Sequence, residues 1–345
     1  MNRFLLLLLL FSVNELPVSL SGQSLQAQKV NGVNLMPCEN ASDPKTVLAP
    51  IENVANANWI SLVYYQYGSY ENGAFDTKLD YSPIDQKWGE TDEGLRIMCR
   101  NAHEQGLQIM LKPSIWFPEY GWPGDWKGKE NEWQKWEASL RKFILAAARL
   151  AAEEKVELLC FATELKSTIR ERPEFIDQLI TEIKEIYSGK LCYAANWDNY
   201  NSIPFWDRMD YIGVDAYFPL DKNNDPSVEE LNKAWEKPIQ QLKRFSKKMG
   251  KDILFTEYGY KSMNGATWKQ WEIENLVGYY PANLDIQTNG YQAIFESLWQ
   301  EDWMAGGFLW YWLCYHEVSG GPNDEHYSPQ NKPAEEVISK YYGQK

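Results

Sequence analysis

The sequence predicts an α/β protein, a single-domain (β/α)8 TIM barrel, on three observations. Short β-rich runs alternate with amphipathic stretches from Val30 onward, as parallel βαβ units require. Eight such runs can be counted, and several are continuously apolar, as expected of strands buried on both faces. No GxGxxG turn follows the first run, which removes support for the nucleotide-binding form of the alternative, an open doubly wound sheet. Eight parallel strands closing on themselves are the simplest arrangement that leaves no exposed edge.

Residues 1–27 stand outside this pattern. Asn2-Arg3 precedes the apolar run Phe4 to Val13, and Leu25-Gln26-Ala27 fits a small-residue cleavage site, so the segment reads as a secretory signal peptide. A run of this length falls short of the roughly 20 residues a spanning helix needs. A short membrane anchor is the alternative, since the segment carries one basic residue ahead of the run. The barrel is therefore expected over residues 28–345, in an exported protein, secreted or periplasmic, with no membrane association once the signal is removed.

The predicted strands are Val30 to Met36, Trp59 to Tyr65, Gln108 to Lys112, Val156 to Thr163, Leu191 to Ala195, Tyr211 to Ala216, Ile253 to Thr256 and Gly307 to Trp312. Helices fall between them. Glu93 to Glu104 ends at Gly106, and Glu132 to Lys155 carries one apolar stripe through Trp133, Trp136, Leu140, Phe143 and Ala147. Phe175, Leu179, Ile183 and Ile186 mark a helix that stops at Gly189. Ser227-x-x-Glu230 is a capping box opening the next, which Pro238 is expected to kink or split. No internal repeat, low-complexity linker or second domain is visible.

A formal charge of −14, with no Lys/Arg cluster to interrupt it, disfavours nucleic acid as a partner. The five cysteines, Cys38, Cys99, Cys160, Cys192 and Cys314, form no CxxC pair or metal spacing, and their number is odd. They read as buried small hydrophobes rather than a disulfide framework, although export would allow any close pair to oxidise. Three histidines without an HExxH helix, and no GxSxG elbow, leave no cofactor, metal or serine-nucleophile reading. Asp221-x-Asn223-x-Asp225 begins like a calcium loop, but Pro226 stands where glycine is required and Asn232 where the bidentate Glu belongs. Asn40-Ala41-Ser42 is a glycosylation sequon, relevant only in a glycosylating host.

In a (β/α)8 barrel the chemistry sits at the C-terminal strand ends. The fourth run ends Cys160-Phe161-Ala162-Thr163-Glu164 and the seventh ends Leu254-Phe255-Thr256-Glu257, each an apolar run closing on Thr-Glu. A carboxylate at the end of a buried strand is costly unless the site solvates or pairs it, so its occurrence twice at the same position points to use. The two residues are 93 apart, three units of 31, consistent with strands four and seven across the barrel mouth. Two carboxyl groups so placed suit glycoside cleavage, where one must hold a proton while the other stays ionised. Either glutamate alone would more readily be read as a surface ion pair with Lys166 or Arg170.

These motifs carry a resemblance. Paired glutamates ending strands four and seven look like those of the retaining glycosidases of clan A, and Cys160 to Leu165 with Phe255 to Tyr260 resemble glycoside hydrolase family 113, known for β-1,4-mannan hydrolysis. The resemblance implies a retaining β-mannanase acting on a polysaccharide or oligosaccharide, with Glu164 as acid/base and Glu257 as nucleophile. It also implies that Tyr217 hydrogen-bonds the nucleophile and that Trp310 or Trp312 floors the subsite of the scissile sugar. Many clan members carry Asn just before the acid/base; Thr163 stands there instead, which leaves the partner of the sugar 2-hydroxyl open. Asn196, ending the fifth strand, is a candidate for it.

Other strand ends add amides and aromatics suited to sugar faces and hydroxyls: Lys112 and Trp116 on the third, Trp197 after the fifth, Asp215 on the sixth. The loop Trp116 to Trp126 is a further candidate for substrate contact. Barrel packing is the competing reading for Trp310 and Trp312, which strict alternation would put on one face. Two rival functions remain open: hydrolysis of another β-glycan such as glucan, xylan or galactan, and a non-catalytic carbohydrate-binding barrel.

Overall fold

A computed structural model of the chain describes residues 28–41, 43–71, 74–76, 87–117 and 122–344. The signal-like segment 1–27, Ser42 of the sequon and residues 118–121 of the aromatic loop lie outside the described residues. Eight strands form a closed, all-parallel barrel: β1 Val30–Leu35, β2 Trp59–Tyr67, β3 Gln108–Trp116, β4 Leu158–Thr163, β5 Lys190–Asn196, β6 Ile212–Asp215, β7 Ile253–Tyr258 and β8 Met304–Trp312. Each pairs with its sequence neighbours, and β8 closes onto β1 through Val30↔Gly306 to Leu35↔Trp312. All eight predicted runs are strands of this barrel.

The helices are α1 Pro44–Asn53, α2 Asp92–Glu104, α3 Glu130–Glu153, α4 Lys166–Glu171, α5 Pro173–Ile186, α6 Val228–Met249, α7 Leu284–Leu298 and α8 Pro333–Tyr342. The capping box at Ser227 is formed, with the Ser227 side chain accepting from the Glu230 backbone N–H. Of the two outcomes expected at Pro238, splitting does not occur. Helix α6 runs through Pro238, and buried Leu231, Trp235 and Leu242 carry its apolar stripe across the missing hydrogen bond.

The fifth unit also departs from the scheme. Between β5 and β6 the chain makes two 3₁₀ turns, Tyr200–Ser202 and Trp206–Arg208, in place of an α-helix. This short stretch contains Pro204 and has no 3.6-residue apolar period to build one.

Side-chain alternation divides the core in two. One set fills the barrel interior, including Val30, Trp59, Met110, Leu158, Cys160, Cys192, Leu254 and Phe308. A larger set lies between strands and helices. Gly32 makes room for this filling, since a Cβ there would fall 2.4 Å from the Phe308 ring. Cys99, Cys160 and Cys192 are free and buried, as their apolar settings suggest. Cys38 and Cys314 correct the expectation, because they form a disulfide with a Cα–Cα distance of 5.7 Å. They follow β1 and β8, neighbours only because the barrel closes, 276 residues apart in sequence.

Candidate active site

Both Thr-Glu strand ends sit on irregular backbone. On β4 the register to β5 steps from Cys160↔Cys192 to Thr163↔Ala194, and on β7 the register to β6 steps from Val214↔Phe255 to Asp215↔Glu257. Each step inserts an extra residue just before the glutamate, and such bulges re-aim a side chain at a barrel rim. Glu164 lies in the left-handed region at φ +53°, uncommon for a residue with a Cβ, and its backbone N–H donates to Ala194 O at 2.8 Å.

Glu164 and Glu257 line one cleft of about 500 Å³ at the mouth of the barrel. Glu257 is held on both oxygens: the Lys112 ammonium ion-pairs with Oε1 and the Tyr217 hydroxyl donates to Oε2 at 2.7 Å. Burial and then the charge of Glu257 push the Tyr217 phenol well up, so it stays a donor. Glu164 has a different setting. Burial first, then the Glu257 charge, raises its carboxyl from 4.5 to about 8.

That shift has a consequence for stability. The folded chain holds this proton more tightly than the unfolded chain, so the stability it contributes is present at low pH and lost as pH rises from 4.5 to about 8. Glu164→Gln should therefore gain heat stability over the native protein progressively across that window. Thermal denaturation from about pH 5 to about pH 9 measures it, and a gap independent of pH would contradict the raised carboxyl.

The remaining candidates divide. Asn196, Trp197, Tyr217 and Trp310 line the cleft, and Asn196 Oδ1 is buried without a hydrogen-bond partner among the described residues. Lys112 and Asp215, expected to bind substrate, are both 0% exposed and lie inside the barrel beneath the cleft. Period-two alternation from the interior residue Met110 brings Lys112 there, and Thr256 donates to Asp215 at 2.8 Å. Trp312 is likewise 0% exposed and stacks on His316 at 5.5 Å, so no sugar face can reach it. Alternation fails to pair it with Trp310 because β8 advances three residues from Leu309 to Trp312 while β1 advances two from Val33 to Leu35. Trp116, ending β3, is exposed but does not line the cleft. Of its loop, Trp126 packs into the core at 4.6 Å from Trp133, while Trp122 does reach the cleft.

Sequence reasoning missed several lining residues. Gln270 and Trp271 come from the long β7–α7 connection, and Trp271 stacks on Trp197 with centroids 6.0 Å apart. Tyr327, from the β8–α8 connection, packs edge-on to Tyr217. Asp198 follows Trp197 directly and pairs with Lys166 at 3.6 Å. Their signal was aromatic and amide content in loops following strands, which names a region but no residue. Among the described residues no cluster of three or more His, Cys, Asp or Glu could hold a metal ion. No helix among them is long and apolar enough to cross a membrane.

The family profile of Glycoside Hydrolase Family 113 matches residues 40–332, most of the chain and both glutamate motifs. The chain belongs to glycoside hydrolase family 113. Solved structures of like fold include one described as a complex of a family 113 β-1,4-mannanase, with TM-score 0.76 and 20% identity over 92% of this chain and 100% of that one. Another is the family 113 β-mannanase AaManA from Alicyclobacillus acidocaldarius in complex with ManMIm, with TM-score 0.74 and 22% identity over 91% and 97%. A β-glucuronidase from Ruminococcus gnavus shares the fold more distantly, with TM-score 0.57 and 13% identity over 90% of this chain and 49% of that one. No curated protein matches by sequence. Membership of family 113 makes the chain a glycoside hydrolase on a (β/α)8 barrel.

Proposed function

We propose that this glycoside hydrolase is a retaining β-1,4-mannanase acting by double displacement. The observation that carries the reading is the unlike setting of two glutamates on one cleft: Glu257 gripped by a cation and a phenol, Glu164 raised to about 8. In the first step Glu257 attacks the anomeric carbon as the glycosidic C–O bond breaks, and the proton on Glu164 passes to the leaving oxygen. In the second, water attacks that carbon, its proton goes to Glu164, and the ester bond to Glu257 breaks. Trp310, Trp197 and Trp271 offer ring faces to the sugars, and Asn196 Oδ1 is an acceptor free for a hydroxyl. Mannan as substrate draws support from the two motifs and from the described activity of the mannanases of like fold. Residues 1–27 serve as an export signal in this reading, so the secreted protein starts near Gln28 on N-terminal sequencing.

Proton NMR of the first products from mannohexaose tests the stereochemistry, with the β-anomer expected first; the α-anomer first would replace retention by inversion. Rates on mannan, glucan, xylan and galactan test the substrate, and a faster rate on any of the last three would reassign it. Because Glu164 must begin protonated, kcat/KM is expected to fall on the alkaline side as pH passes about 8. A rate still rising through that value would remove Glu164 from the acid role.

A further inference from the structure

Three carboxyl groups, those of Glu164, Glu257 and Asp215, gather around Lys112, which is wholly buried. Lys112 touches Glu257 on β7 and sits 5.2 Å from the Trp310 ring on β8. Among the described residues, further titratable groups near it are Tyr65 on β2, Cys160 on β4 and Cys192 on β5, while Tyr217, after β6, faces it across Glu257. Lys166 and Asp198 on the rim pair with each other. A buried carboxylate persists when a cation or donors match its charge, and like charges sharing a site suppress one another's ionisation. Asp215 makes no direct ion pair among the described residues: Thr256 donates to Oδ1, while Oδ2 is buried without a hydrogen bond from any of them.

We propose that Lys112 is a positioning residue that assigns the negative charge of the site: by pairing with Glu257, it makes Glu257 the ion and leaves Glu164 and Asp215 to keep their protons. Burial would depress Lys112, but the ion pair with Glu257 leads the opposing contributions and holds the ammonium above its ordinary value. Burial, then Glu257, pushes Asp215 well above the carboxylate range. Lys112 thus acts through Glu257 without touching substrate, and the division between acid and nucleophile is set by which carboxyl the ammonium reaches.

The inference rests on Glu257 as nucleophile, and the experiment separates the two. The pH dependence of kcat/KM on mannohexaose is measured for the native protein, Lys112→Met, Lys112→Arg and Asp215→Asn, with circular dichroism as the folding control. In Lys112→Met the acid limb should move up by about one to three pH units, so that kcat/KM is lost on the acid side and regained as pH rises. Lys112→Arg, which keeps the charge, should hold the limb near its native position. Asp215→Asn removes a group that carries no charge, so the limb should stay in place. A Lys112→Met variant slowed by one factor at every pH, with the limb unmoved, would reduce Lys112 to packing. If that variant fails to fold, Asp215→Asn decides: a limb that moves down would mean Asp215 is ionised and overturn the assignment. Failure of the nucleophile reading shows separately, as Glu257→Gln with native turnover.

Discussion

Glu257→Gln should lose about four orders of magnitude or more in turnover, because an amide cannot form the glycosyl ester. The substitution preserves shape and the acceptor for Tyr217, so binding of mannohexaose should persist. It also strips Lys112 of its counter-ion inside the barrel, which lowers heat stability, so rates belong well below the variant's own melting temperature. Glu257→Gly with azide adds a sharper test. The anion takes the vacated position and attacks the same face, giving a glycosyl azide of inverted configuration, whereas Glu164→Ala with azide should give a retained one. Native-level turnover by Glu257→Gln would end the double-displacement mechanism.

The second large effect concerns stability. Removing the Cys38–Cys314 disulfide by a double Ser substitution should destabilise the fold by about 2–5 kcal/mol, since the bond closes a loop of 276 residues and the entropy withheld from the unfolded chain grows with loop length. For a barrel of this size that amounts to roughly 3–8 °C in Tm. Scanning calorimetry of the double variant beside the native protein reads it, and an unchanged Tm would show that closure of β8 onto β1 holds without the link.

The strands were legible because each must bury both faces, and the two glutamates because a charge closing an apolar run needs a reason. Lys112 shows where a legible signal was left unused: Met110 faces the barrel interior, and two residues on brings the lysine to the same side. Its partner is 145 residues away, so only the closed barrel reveals the ion pair. Trp312 shows the opposite case. Its expected face followed from regular alternation, and a bulge, which leaves no mark in composition, cancels that rule. Trp271 and Tyr327 arrive from long connections without periodicity, where sequence offers no geometry to read. The Cys38–Cys314 pair was hidden for a related reason, since its halves meet only where the first and last strands join.

That covalent seam also governs how the protein behaves when cut. A protease that cleaves once anywhere between Cys38 and Cys314 leaves two fragments still joined, so a nicked molecule migrates as one species on a denaturing gel and separates only after a thiol is added. Both glutamate-bearing strands would stay in one body after such a cut, the barrel halves tethered for reassembly.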